Sequence, residues 1–273
     1  MGYRALAKYP NRLKFFVWGA LGLLPMACSP KVWVQPVSIS PAQPQAVSTA
    51  TPPPLNERQL LGQQKPPGLV YDLQTAQRAL PDVMEAYQKL KAKAAQDGWS
   101  LVLVSGYRSY WAQVVIWNSR YDEIVLADPK ATEKERVQGV LEYVDLPGLS
   151  RHHWGTELDI SEKSLRGQLF HIAPDLPERV KAFYGWMEVN APSFGFCKTY
   201  RGGAGAIHDE PWHWSYLPFS CVYQEQFKSI TDFKSIKQKM VKGSDYILTH
   251  FDEIYRWQAK SVDASCGCEK NQP

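Results

Sequence analysis

Apolar and polar positions follow two rhythms along this chain. From Pro81 to Gln96, Val83, Tyr87, Leu90 and Ala94 recur at helical spacing and Gly98 is placed to end the element, so the pattern predicts a helix. Trp99 to Val104 is an apolar run of strand length closed by Ser-Gly, which leaves Arg108 just past a strand end. A second helix is predicted over about Tyr110 to Leu126. Thr132-Glu133-Lys134-Glu135 has the capping-box pattern and opens a third helix to about Tyr143, broken by Pro147-Gly148. Thr156 to Ile160 then switches to the two-residue period: Thr156, Leu158 and Ile160 share an inward face, and Glu157 and Asp159 share the other, directed at an open cleft. Pro177 to Asn190 returns to a helical pattern, and residues 222 to 260 carry two amphipathic stripes, Ile230/Phe233/Ile236/Met240 and Tyr246/Ile247/Phe251/Ile254/Trp257.

Composition adds boundaries to this picture. A chain of 273 residues allows one sizeable domain with appendages. Nine of its twenty prolines lie in residues 29–68 among Ser, Thr, Gln and Ala, a composition expected to form a disordered linker that gives reach. The globular domain is expected over 69–221 and a helical extension, packed on it or docking a partner, over 222–273. Arg4, Lys8, Arg12 and Lys14 precede the apolar run Phe15 to Ala27, which reads as an export signal and is short for a membrane span. Leu24-Pro25-Met26-Ala27-Cys28 resembles a bacterial lipoprotein box, with Pro25 where such boxes usually carry leucine, and implies a lipid anchor at Cys28; an ordinary cleaved signal and an uncleaved anchor are the alternatives. Residues 1–28 are thus expected to place the rest of the chain on the envelope side of a membrane. Cys197, Cys221, Cys266 and Cys268 then form an even set for an oxidising compartment. Three pairings are open; a Cys197–Cys221 bridge would staple the loop between them. A net charge of +4 without a basic stripe argues against a nucleic-acid partner.

The candidate chemistry sits in Ser150-Arg151-His152-His153-Trp154-Gly155-Thr156-Glu157-Leu158-Asp159 and in Glu210-Pro211-Trp212-His213-Trp214. Two imidazoles, one metal-binding carboxylate and one spare carboxylate suit a catalytic zinc with three protein ligands and a nearby base. Gly155 allows a sharp turn between His152 and the strand, and Pro211 argues against a helix at the second motif.

These residues resemble the signature of the VanY-type D-alanyl-D-alanine carboxypeptidases, zinc peptidases of the cell wall. Ser105-Gly106-Tyr107-Arg108-Ser109 with Gln113, and Trp186 to Tyr200 with Asn190-Ala191 and Phe194-Gly195-Phe196, fit as well, so the likeness covers about residues 70 to 220. It implies an α+β fold shared with hedgehog and the lysostaphin-type enzymes: a small antiparallel sheet carrying the zinc site, flanked by helices. It implies His152, Asp159 and His213 as Zn2+ ligands, Glu210 as general base and Arg108 as the cation for the developing oxyanion. Ser150 and Gln113 would hold the peptide, and Trp214 would either wall the pocket or serve only in the core. His153, where relatives often carry glutamine, contacts substrate or nothing, and His208 is the rival imidazole. Glu157 stands where relatives often have a small residue, on the face of Asp159, where it would tune the metal or narrow specificity. The implied reaction is removal of the terminal D-Ala from peptidoglycan stem peptides. An L,D-carboxypeptidase, a wall endopeptidase and a non-catalytic wall-binding lipoprotein are the alternatives.

Overall fold

The structure, a computed structural model, describes residues 50–168, 177–203, 207–230 and 240–266. The export signal, Cys28, residues 29–49 of the expected linker, Phe233, Ile236 and Cys268 lie outside the described residues. The elements in chain order are α1 (Glu57–Leu60), β1 (Val70–Tyr71), β2 (Arg78–Ala79), α2 (Pro81–Gln96), β3 (Leu101–Ser105), α3 (Tyr110–Ala127), α4 (Glu133–Leu141), β4 (Glu157–Glu162), α5 (Glu178–Asn190), β5 (Phe196–Lys198), β6 (His213–Tyr216), α6 (Leu217–Lys228), α7 (Ser244–Thr249) and α8 (Phe251–Ser261). Four strands form one antiparallel sheet in the order β3-β4-β6-β5, flanked by helices. This is the expected α+β architecture. No helix among the described residues is long and apolar enough to cross a membrane.

Local signals explain the helix ends. Pro81 opens α2, where its missing N–H is no loss, and the predicted face of Val83, Tyr87, Leu90 and Ala94 is buried. Ser109 caps α3 by accepting from the Ala112 N–H, and the Thr132/Glu135 capping box closes at the start of α4. The core lies between the sheet and these helices, and Trp117, Trp154, Trp186 and Trp214 are its largest fully buried side chains.

Two expected boundaries move. The stretch before residue 69 is not linker throughout: Pro52, Leu55, Leu60 and Leu61 are buried. An Asn56/Gln59 capping box builds α1, the Trp154 indole donates to Leu60 O, and the Tyr223 hydroxyl donates to Pro53 O. Proline-rich composition there hid a few leucines that find a groove. At the other end the expected break after 221 falls inside α6, whose Phe219, Tyr223 and Phe227 are buried. The extension continues onto the domain through α8, where Ile254, Gln258 and Ser261 are buried. It is fastened by a Cys197–Cys266 disulfide, and Cys221 is not part of that bridge.

Candidate active site

Sheet register assembles the site. Asp159 on β4 lies opposite His213 on β6 and Ser105 on β3, so one cross-strand row carries two candidate ligands and leads into the Arg108 loop. His152 comes from the 3₁₀ turn Arg151–Trp154, which ends at Gly155 in the left-handed region, φ 76°. That conformation is open to glycine at little cost and reverses the chain into β4. Gly106 is needed for a different reason. A Cβ there would sit 2.2 Å from Arg78 O, so only a bare backbone can pass. Its own carbonyl accepts from His152 Nδ1 at 2.7 Å.

That last bond fixes the His152 tautomer. A carbonyl only accepts, so Nδ1 carries the proton and Nε2 offers a lone pair. Burial, then Arg108, lowers the His152 pKa against the pull of Asp159, which keeps the ring neutral. Its Nε2 lies 3.4 Å from Asp159 Oδ1, yet both atoms are buried without a hydrogen-bond partner among the described residues. Two facing, buried acceptors are unfavourable unless a cation lies between them. His213 Nδ1 is 3.9 Å from the same Asp159 oxygen, and one donor atom from each of the three residues falls within 4.8 Å of the others. Tetrahedral zinc with bonds of roughly 2.0–2.1 Å spaces its ligands about 3.3 Å apart. The three residues therefore fit a zinc ion with small adjustments.

Glu210 completes the cluster. Its Oε2 lies 3.0 Å from His213 Nδ1, and burial raises its pKa to about 7 although His213 pulls the other way. Such a carboxyl can take and return a proton near neutral pH. On the opposite edge of the His213 ring, Nε2 lies 3.1 Å from Glu157 Oε2. Burial alone would lower the His213 pKa, but the two carboxylates outweigh it and raise it to about 10, so without a cation the ring is an imidazolium held between them.

Arg108 is in place: Nη2 donates to Asp159 Oδ2 at 3.2 Å and Nη1 to Gln113 Oε1 at 3.0 Å, while its Nε is buried without a partner among the described residues. Ser150 Oγ, just before the His152 turn, is likewise buried and unpartnered. His208 is excluded as a ligand: half-exposed, it stacks on Tyr143 and faces Glu142 at 3.6 Å.

Two expected substrate contacts need correction. Gln113 is buried, and its amide is committed at both ends, accepting from Arg108 and donating to Asp145 O at 2.9 Å. It orients Arg108 instead. Trp214 neighbours His213 on β6, so pleating sends it to the opposite face, into the core, where its indole donates to Pro211 O. The cleft-facing reading of Glu157 also changes: it shares the Asp159 face but is fully buried. His153, expected to contact substrate or nothing, is sealed inside: its Nδ1 lies 2.8 Å from Arg108 O and its Nε2 accepts from the Gly148 N–H at 3.1 Å. Sequence reasoning missed Asp145 altogether. Its Oδ1 accepts from the Tyr200 hydroxyl and from Gln258 Nε2 of α8, and Tyr200 in turn meets the His213 ring edge-on at 4.9 Å. A lone aspartate after a helix gives no signal of such a role.

The family model of VanY, D-alanyl-D-alanine carboxypeptidase, matches residues 77–219. The chain belongs to the VanY family. That span holds Arg108, His152, Asp159, Glu210 and His213. An uncharacterised protein of Haemophilus influenzae is 31% identical over 126 residues, covering 44% of this chain and 96% of that protein. YodJ of Bacillus subtilis is 30% identical over 139 residues, half of this chain and 45% of its own length. Among solved structures, VanYB in complex with D-alanine-D-alanine aligns with a TM-score of 0.45 at 21% identity, covering 66% of this chain and 88% of that one. An LdcB LD-carboxypeptidase aligns with a TM-score of 0.43 at 25% identity, covering 68% and 80%. The VanY-family peptidase fold thus carries the site, and a helical extension lies beyond the matched span.

Proposed function

We propose that this protein is a zinc-dependent D-alanyl-D-alanine carboxypeptidase that trims peptidoglycan stem peptides. The observation that carries the reading is Glu210 Oε2, 3.0 Å from His213 Nδ1, beside the buried, unpartnered His152 Nε2 and Asp159 Oδ1. His152, Asp159 and His213 would hold the ion, which when bound supplies Lewis-acid polarisation and a more acidic water. Glu210 takes a proton from the attacking water and returns it to the departing amine of the terminal D-Ala as the C–N bond breaks. Arg108 stands as a fixed cation for the charge that gathers on the carbonyl oxygen, with its spare Nε as donor. The unpartnered Ser150 hydroxyl offers the peptide a hydrogen bond. The basic-then-apolar N-terminus supports export, with Cys28 as a lipid anchor that keeps the enzyme at the membrane near its substrate.

The test is incubation of the zinc-loaded protein with a stem pentapeptide ending in D-Ala-D-Ala, products identified by mass spectrometry, with Glu210→Ala alongside. Release of single D-alanine by wild type, reduced at least about 100-fold in the variant, is expected. Release of a different fragment moves the scissile bond to an L,D- or endopeptidase reading. No cleavage of penta- or tetrapeptide by metal-loaded protein overturns the enzymatic reading in favour of wall binding.

A further inference from the structure

Glu157 makes more contacts than a structural ion pair requires. Oε1 takes the Arg151 Nε donor at 3.2 Å and the Ser215 hydroxyl at 2.6 Å, while Arg151 is itself held by Gln224 and by Ser215. Oε2 is turned the other way. It accepts from the Thr199 hydroxyl at 3.2 Å and lies 3.1 Å from His213 Nε2. The carboxyl group is fully buried, with the Arg151 guanidinium against it as countercharge. A buried ion pair contributes little net stability, because desolvation offsets the attraction. An arginine–carboxylate pair for packing alone would have no need to present its second oxygen to a ring nitrogen.

We propose that Glu157 is a positioning residue for the metal site: clamped by Arg151, Ser215 and Thr199, it holds the Nε2–H of His213 and so aims the Nδ1 lone pair at the space His152 and Asp159 share. This deepens the proposed function and rests on its assignment of those three residues as ligands. The parts come from strand register. Glu157 lies opposite Ser215 and Asp159 opposite His213, so the clamp and the ligands occupy successive rungs of one face. His152 is oriented by a backbone carbonyl, Gly106 O; His213 has a carboxylate in the same role. A negative acceptor makes the ring a stronger donor to a cation than a neutral one does.

The test uses the full-length protein and its Glu157→Ala and Glu157→Gln variants. Zinc affinity is measured by competition with a chelator, and the absorption spectrum of the Co(II)-loaded protein reports ligand geometry. The alanine variant should lose about 10–100-fold in zinc affinity and show an altered cobalt spectrum. The glutamine variant, which keeps an acceptor but not the charge, should fall between it and wild type. Folded variants that bind zinc within twofold of wild type, with an unchanged cobalt spectrum, would reduce Glu157 to a packing role. Should neither variant fold, nitrogen NMR of histidine-labelled, zinc-loaded wild type decides. Ligation by His213 through Nδ1 with Nε2–H retained supports the assignment; ligation through Nε2 overturns it. Wild type that binds no zinc defeats the proposed function itself and this inference with it, an outcome read from the control before any variant is compared.

Discussion

Single residues set this site by what their second atoms touch. Gln113 holds Arg108 and is itself held by the Asp145 carbonyl. Gln113→Ala should leave zinc content unchanged and lower kcat/KM by roughly 10-fold, against about 100–1,000-fold for Arg108→Ala. Steady-state kinetics on the stem peptide check this, and a wild-type value for the alanine variant would remove Gln113 from the machinery. His153 makes a second residue-scale prediction. Its carbonyl partner, Arg108 O, and its amide partner, Gly148 N–H, together demand a neutral ring. Burial, the dominant cause, lowers its pKa from 6.5 to about 3. The folded state therefore binds fewer protons than the unfolded chain between those values, and stability rises with pH there. The contribution is present above about pH 6.5 and lost as pH falls toward 3, by at most about 1.4 kcal/mol per pH unit. Urea unfolding at a series of pH values should show this slope in wild type and a shallower one in His153→Gln; equal slopes would sink the account.

At the scale of elements, short pieces are fastened by neighbours more than by their own propensity. Helix α1 is a single turn, too short to persist alone, yet it is capped at both backbone and side chain and its Leu60 is buried. Leu61, fully buried beside it, belongs to the core although it lies in proline-rich sequence. Leu61→Ala should cost about 2–5 kcal/mol in denaturant unfolding, as for any core leucine. A cost below about 0.5 kcal/mol would return the segment to linker. The strands follow the same rule: β5 and β6 are three and four residues long and gain their order from pairing, with β5 also tied to the C-terminal extension through Cys197–Cys266.

At the scale of the molecule, the C-terminal extension acts as a strap. Gln258 of α8 donates to Asp145 and accepts from the Leu146 N–H, Asp263 N–H donates to Thr199 O, and Cys266 is bonded to Cys197, 69 residues away. The strap thereby reaches the layer behind Arg108 and His213. Cys266→Ser should lower stability by about 2–4 kcal/mol, since the unfolded chain regains the freedom of a long loop. A matching loss should appear when wild type is unfolded with a reductant present. A thermal midpoint insensitive to both would mean the strap holds through packing alone.

The sequence by itself determined the helices over Pro81, Tyr110, Thr132 and Pro177 and the strands over Leu101 and Glu157, while its likeness to the VanY family singled out His152, Asp159, His213, Glu210 and Arg108, the two histidines and the aspartate of which the fold brings together. The helices and strands are local features, set by periodicity and caps, and so are legible along the chain. Tertiary structure alone decided the rest. It turned Trp214 into the core by the pleat of β6 and committed both ends of Gln113. It sealed His153, chose Cys266 as the partner of Cys197, and brought Asp145 and Glu157 behind the ligands. Each of these depends on which atoms meet across tens of residues, and a buried polar group declares its role only when its partner is in view.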